Sequence, residues 1–509
     1  MTNKKNSPFP GLKALIVVLL GLGIFFRFVN IDKKVYWLDE AYTSLRISGH
    51  TRSEYVTETF ANQVISVKDL QKYVQLQPDK EFRDTLDALT GNSEHPPLYY
   101  LLASLWVRLF GTTPAVTRSL SALISLLAFP CIYWLCLELF ESSLTAWIAV
   151  AIIAVSPFHV LYAQEARQYS LWIVTILLSC AALLHAMRVR TIRNWGIYAV
   201  SLALGFYTFL FSALVAIAHG VYVIITERFR LTKASLAYLL ALLDGVLVFV
   251  PWIVVIATNL NRIDKATAGA QQRQEPLFLV KTWISDLGQV FLDFKLGTFT
   301  APLILLLVGY ALYFLYRRGP KQASSFIFIG LGITALSIML ADLTLGFKLS
   351  TRPRYLIPAY LIIQVAIAYL LSTQILCAKS WQRQFWKGVL VLLISGGILS
   401  CAISSQSETW WNKGNTENPE LAQIINQAPR PLIVSNNQFL NPDDLLSLSY
   451  LLEPEVQLQL VSGSTIPKIP QGFSDVFLYN PSDELKAGLE KEHKLDLVSK
   501  RGKLWSVGK

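Results

Sequence analysis

The chain is short of charge. Only 16% of its 509 residues are Asp, Glu, Lys or Arg, whereas an ordinary soluble domain carries about 25%. With 53% apolar residues and a mean hydropathy of +0.43, this excludes a simple soluble enzyme. Cysteine is scarce too. Cys131, Cys136, Cys180, Cys377 and Cys401 lie in or beside apolar runs. They read as small buried hydrophobes, with no disulfide framework and no paired metal spacing. No small-residue cleavage site precedes Arg27 in the first apolar run, so that run reads as a retained span and not as a removed signal peptide. Internal repeats and low-complexity tracts are not evident. The polar tail lacks a glycine-rich phosphate loop and a nucleophile motif. The net charge of +11 and pI of about 9.2 come from basic residues scattered through short loops and the tail. Positive-inside topology accounts for many of them without nucleic acid.

What the chain does have is a series of apolar runs near the bilayer-spanning length of roughly 20 residues. Residues 1–10 carry Lys4 and Lys5 and are expected in the cytoplasm, with residues 11–29 spanning outward. Trp37-Leu38-Asp39-Glu40-Ala41-Tyr42 then falls on the extracytoplasmic face. Two adjacent carboxylates there do not help insertion, since an acidic side chain in lipid costs about 2.5–3.5 kcal/mol. Residues 35–48 read as a short amphipathic interfacial helix. Residues 51–94 are too long and polar for a plain connector.

Basic clusters (Arg188, Arg190, Arg193; Arg228, Arg230, Lys233; Arg317, Arg318, Lys321; Lys379, Arg383, Lys387) each follow apolar runs. If all are cytoplasmic, the spans alternate without conflict. Segments 162–169, 258–300 and 342–354 then lie outside with Asp39. Three apolar segments separate Asp39 from Arg167, so one must not cross. The shortest, Leu98–Phe110, is favoured as an interfacial or partly inserted helix. The predicted fold class is an all-α polytopic membrane bundle of roughly 11–13 transmembrane helices. It occupies residues 1–403, with a first extracytoplasmic loop at 30–97. A small α/β extracytoplasmic domain is expected over 404–509.

One face of the membrane thus collects Asp39, Glu40, His95, Tyr99, Tyr162, Glu165, Arg167, Tyr169, Lys348, Arg352, Arg354 and Tyr355. Each has a plain alternative: His95 before two prolines as a turn residue, Arg167 as a snorkelling arginine, the tyrosines as aromatic-belt or packing residues. Together they suit a reaction at a lipid-linked phosphate. A carboxylate can deprotonate an attacking hydroxyl, and arginines can hold the departing phosphate with a two-pronged fork. The phosphate leaves unprotonated, so a second acid is not required, unlike in hydrolytic glycosidases.

Four motifs carry a resemblance: Asp39-Glu40 after the first span, His95-Pro96-Pro97-Leu98-Tyr99, Tyr162-Ala163-Gln164-Glu165-Ala166-Arg167-Gln168-Tyr169, and Arg354-Tyr355-Leu356-Ile357-Pro358. Together they resemble the glycosyltransferase family 39 type, whose relatives include protein O-mannosyltransferases and lipid A aminoarabinose transferases. The resemblance spans residues 11–403 and implies a GT-C fold with a polyprenyl-phosphate-linked sugar donor. By it, Asp39 activates or orients the acceptor and Glu40 supports that site. His95 contacts donor phosphate, and Arg167 is the arginine of the second outside motif. The aminoarabinose transferases place an aspartate shortly after that arginine; here the chain reads Gln168-Tyr169-Ser170. The metal requirement is left open, with Mg²⁺ or Mn²⁺ the hard-cation choices and Asp39 and Glu165 the candidate ligands. No other cofactor is expected.

The implied activity is inverting transfer of a sugar to an acceptor hydroxyl on a protein, lipid or envelope glycan, outside a cell membrane. Two other classes compete. A transporter or flippase of lipid-linked sugars would place its polar residues near the bilayer midplane, often in repeated halves, and a scaffold would bind envelope partners through its tail.

Overall fold

The computed structural model describes residues 10–260, 271–294, 297–438, 440–499 and 501–508. Lys4, Lys5 and part of the 258–300 loop lie outside them. Seven described helices are long and apolar enough to cross a membrane: Pro114–Phe140, Tyr169–Val189, Lys233–Thr258, Thr300–Arg318, Lys321–Leu345, Pro353–Cys377 and Ser380–Ser405. The chain is a multi-pass integral membrane protein. Two further helices, Ser143–Ala154 and Pro157–Ala163, meet the same criteria taken together and are bent by 60° at their junction. Ser156-Pro157 makes the bend, because proline provides no donor to the preceding turn and suits the first position of a new helix. The remaining apolar helices, Ala14–Phe28, Leu98–Phe110 and Ser212–Thr226, are shorter. Seven or eight described spans therefore meet the length and composition criteria, against the roughly 11–13 expected from length and charge.

Local chemistry sets several helix starts. Ser142, Thr191 and Thr232 each accept a backbone N–H three residues on, satisfying a donor that would otherwise be orphaned. At the 156–157 break the freed carbonyls are taken up by a buried arginine. Arg27 Nη1 donates to Ala154 O at 2.8 Å and Nη2 to Ile153 O at 3.2 Å, while Nε reaches Ser125 Oγ at 3.0 Å.

The chain forms two compact units. The first comprises Met1–Ile31, Asn92–Tyr99 and Ser119–Gln406, and holds the membrane helices. The second comprises Asp32–Gly91, Tyr100–Arg118 and Ser407–Lys509. Within the second unit lies a six-stranded sheet: β1 (Val64–Ser66), β2 (Pro431–Asn436), β3 (Gln457–Val461), β4 (Asp475–Tyr479), β5 (Leu495–Leu497) and β6 (Leu504–Val507), in the order β1-β3-β2-β4-β6-β5. Strand β2 pairs in parallel with β3 and β4; the other pairings are antiparallel. Every residue of β2 is buried, which fits its unbroken Leu432-Ile433-Val434 run. Its core joins Leu432, Val434, Val461 and Leu478 to Leu485 and Leu489 of helix Asp483–Leu489.

The apolar runs 432–434, 457–461 and 476–479 lie in β2, β3 and β4, and helices Asn418–Asn426, Asn441–Ser449 and Asp483–Leu489 complete the α/β pattern expected of the tail. Strands β5 and β6 were not foreseen. Neither was β1, which comes from the first loop and pairs Val64 with Gln459. The loop is anchored further along: Arg52 Nε reaches both oxygens of Asp443 at 3.2 and 3.1 Å, and Tyr55 Oη donates to Pro442 O at 2.8 Å. Loop and tail thus fold as one body. Helix Leu98–Phe110 joins it through Ser104 Oγ on Ile47 O at 2.9 Å and Arg108 Nη1 on Lys80 O at 3.3 Å. Those contacts tie this helix to the first loop, and at 13 residues it is shorter than the helices that meet the length of a span.

Candidate active site

The carboxylate pair lies at the start of helix Leu38–Ile47, with Asp39 and Glu40 in its first turn. Negative charge is favoured there by the exposed N–H groups and the helix dipole. The two side chains have different fates. Asp39 is half-buried. Glu40 is fully buried, and its carboxylate is gripped by Arg118, Nε to Oε1 at 2.7 Å and Nη2 to Oε2 at 2.7 Å. Lys413 Nζ donates to Oε2 at 2.9 Å. The same guanidinium donates to Lys34 O and Val35 O, each at 2.9 Å, and stands 5.1 Å from the Tyr36 ring. Burial alone would raise the Glu40 carboxyl, but the Arg118 and Lys413 charges and hydrogen bonds outweigh it and hold it down at about 2.

The lead-in to Asp39 is fixed by the tail. Val35 N donates to Glu408 O at 2.8 Å, Leu38 N to Asn415 Oδ1 at 2.8 Å, and Ser447 Oγ to Tyr36 O at 2.7 Å. Sequence reasoning missed Arg118, Lys413 and Asn415. A lone arginine opening a span and a lysine in the tail carry no local signal of partnership with Glu40.

In the membrane unit the second motif forms a buried loop. Gln164, Glu165, Arg167 and Gln168 are all buried. Gln164 Nε2 donates to Phe26 O and Val29 O at 2.9 Å, tying the loop to the end of the first helix. Arg167 N bonds Glu165 O at 2.7 Å. Tyr99 pairs with Ser121 Oγ at 2.8 Å, and Ser121 Oγ donates to Arg167 O at 3.3 Å. The His95–Tyr99 and Tyr162–Tyr169 motifs therefore meet. His95 itself is half-buried just before helix Leu98–Phe110.

Arg354 completes the group. Its guanidinium carbon is 5.6 Å from the ring centres of Tyr169 and Tyr355. Tyr162 packs edge-on to Tyr169 at 5.2 Å and lies in the electrostatic field of both Glu165 and Arg354. Tyr355 stacks on Phe211 at 5.0 Å. Tyr162, Glu165, Tyr169, Arg354 and Tyr355 are thus one neighbourhood. Lys348 and Arg352 are directed elsewhere. Lys348 Nζ donates to Gln272 at 2.8 Å, and Arg352 is exposed. Lys348 and Arg352 each stand just before a separate 3-10 turn, Leu349–Thr351 and Pro353–Leu356, so adjacency to Arg354 did not mean convergence.

A buried carboxylate unseen in the sequence pattern holds this loop. Asp342 accepts from Leu349 N at 2.9 Å and from Ser350 N and Oγ at 2.6 Å each. Trp283 Nε1 donates to Ser350 Oγ at 2.8 Å. Replacement of Asp342 by Ala is expected to cost about 1.5–3 kcal/mol per charged hydrogen bond lost and to speed proteolytic cleavage within 346–356. Cleavage at the wild-type rate would show that Asp342 does not secure the loop.

Among the described residues no group of three or more His, Cys, Asp or Glu side chains is placed to hold a metal ion. Asp39 and Glu165 also belong to different units. No step is assigned to a metal.

The helical unit has the GT-C fold of membrane glycosyltransferases. The chain is similar to ArnT from Cupriavidus metallidurans bound to undecaprenyl phosphate, with 13% identity, TM-score 0.57, and 97% of this chain and 98% of that chain covered. Against the apo state of the same protein the TM-score is 0.58 at 12% identity, with the same coverage. The archaeal oligosaccharyltransferase AglB from Archaeoglobus fulgidus, in complex with an inhibitory peptide and a dolichol-phosphate, gives TM-score 0.52 at 11% identity over 98% of this chain and 74% of that chain. More particularly, residues 94–255 match the family described as dolichyl-phosphate-mannose-protein mannosyltransferase. That segment includes His95, Tyr99 and the 162–169 motif, but not Asp39 or Arg354. No curated protein matches the chain in sequence.

Proposed function

We propose that this chain transfers a sugar from a polyprenyl-phosphate donor to an acceptor hydroxyl, with inversion, on the extracytoplasmic face of a cell membrane. The observation that carries the reading is the Arg354 guanidinium against Tyr169, in one neighbourhood with the buried Glu165–Arg167 loop of a GT-C fold. Asp39 takes the proton of the acceptor hydroxyl, whose oxygen attacks the anomeric carbon from the face opposite the phosphate. The bond from that carbon to the phosphate oxygen breaks, and its electron pair leaves with the lipid phosphate. Arg354 and Arg167 receive that charge, because guanidinium matches phosphate geometry and needs no proton transfer. Glu40 serves by fixing the helix that bears Asp39, since its own carboxylate is committed to Arg118 and Lys413.

The acceptor, a protein, lipid or envelope glycan, is to be found by assay. The test is incubation of purified protein in detergent with a panel of polyprenyl-phosphate sugars, following release of free lipid phosphate. Release of none, with any acceptor class, rejects the proposal. Arg354→Lys keeps the charge but loses the fork and the aromatic stacking. It is expected to weaken donor binding about 10–100-fold, the equivalent of one charge-assisted contact. Unchanged donor binding would remove Arg354 from the phosphate site.

A further inference from the structure

Helix Pro276–Phe291 buries two polar groups that its own packing does not use. Asp286 is 8% exposed, and its Oδ2 has no hydrogen-bond partner among the described residues. Gln289 Oε1, three residues on and so on the same helical face, is likewise without one. On the helix Ile357–Cys377, Tyr360 is 4% exposed and its hydroxyl is also without a partner among the described residues. Such groups are uncommon, since buried polar atoms are nearly always paired. Nearby packing is satisfied by contrast: Ser156 Oγ donates to Val290 O at 2.6 Å on the same helix.

These groups are neighbours of the site. Asp286 acts electrostatically on both Tyr360 and Tyr162, and Tyr162 also senses Arg354 and Glu165. The Phe158 ring bridges them, 4.8 Å from Tyr162 and 5.3 Å from Tyr360. Burial pushes the Asp286 carboxyl up to about 8, so near neutral pH it mostly carries a proton and can both donate and accept. A neutral carboxyl with an amide on its own helical face and a phenol within its electrostatic reach suits vicinal hydroxyls, where a second negative charge beside a phosphate would repel it.

We infer that Asp286 and Tyr360, with Gln289 beside them, bind hydroxyls of the sugar carried on the lipid phosphate and so determine which sugar is accepted. The inference rests on the glycosyltransferase reading above. It makes these residues donor-specificity residues, distinct from the arginines that hold the phosphate.

The probes are bare polyprenyl phosphate and a panel of polyprenyl-phosphate hexoses, pentoses and their singly deoxygenated analogues. They are titrated against wild type, Tyr360→Phe and Asp286→Leu. Bare lipid phosphate is expected to bind all three alike, within about twofold. The preferred sugar-bearing donor is expected to bind each variant at least tenfold more weakly, and one deoxy analogue to bind wild type as weakly as it binds the variants. A merely structural role would weaken bare lipid phosphate as well, and that result overturns the inference. Wild-type donor affinity in both variants overturns it too, while sugar transfer by the wild type leaves the glycosyltransferase reading standing. If the wild type distinguishes no sugar-bearing donor from bare lipid phosphate, the specificity role falls. If it also transfers no sugar, the glycosyltransferase reading falls with it.

Discussion

Asp39→Asn is expected to lower sugar transfer by about 10²–10⁴-fold, the usual contribution of a positioned general base. Asparagine keeps the size and the hydrogen-bonding reach of the side chain but cannot take a proton. The helix start is held by Leu38 N on Asn415, and Thr43 Oγ1 bonds the Asp39 backbone carbonyl at 3.0 Å. Expression, membrane insertion and thermal midpoint should therefore match the wild type. The rate of lipid-phosphate release in detergent is the measurement. A variant that transfers sugar at the wild-type rate would remove Asp39 as the base. A variant that fails to insert would instead make its role structural.

Glu40→Gln is expected to act on stability first. Glu40, Arg118 and Lys413 are all fully buried, and the carboxylate is the anionic partner that both cations share. Neutralising it strands two buried positive charges. Breaking a buried pair by removing one partner costs about 3–5 kcal/mol, mostly through the charge left behind. The loss should appear as a lower thermal midpoint and as faster proteolysis of residues 32–91 in detergent. Arg118→Ala should produce a similar loss, and Glu40→Asp a smaller one because charge is kept while reach is shortened. A Glu40→Gln variant as stable as wild type would show that this cluster does not hold the unit together.

The same carboxylate gives a pH dependence with a definite sign. Its folded value, about 2, lies below the ordinary 4.5. The folded state therefore favours the ionised form. The stability it adds is fully present above pH 4.5 and is lost as pH falls from there toward 2. Thermal midpoints of wild type and Glu40→Gln measured across that window should converge at the acid end. Parallel curves would contradict the assignment.

Much of the membrane architecture was legible in the chain. Apolar runs of spanning length do not depend on distant partners, because in lipid each helix satisfies its own backbone. The Ser156-Pro157 break sits where proline interrupts a helix and opens the next. Strands 432–434, 456–461 and 476–479 were visible because β-branched and apolar runs mark buried strands. The 162–169 and 354–355 motifs were visible as polar and aromatic residues placed where lipid tolerates them poorly. Their joining through Tyr169 and Arg354 was expected only from resemblance.

Other features had no local signature. Strand β1 is only three residues long, and pairing with the edge of β3 makes it a strand. Glu40 and Asp39 are identical in kind on paper. What separates them is the 100° turn between successive helical residues, which directs Glu40 to Arg118 and Lys413. Asp286, Tyr360 and Asp342 looked like incidental polar residues in apolar surroundings until burial showed which carboxyls are bonded and which are not. The sequence by itself determined which segments are apolar enough to enter a membrane, since that depends on composition summed over some twenty neighbours. Tertiary structure alone decided which charges meet and which are left to act, because a charge pair depends on distance in space and not on separation along the chain.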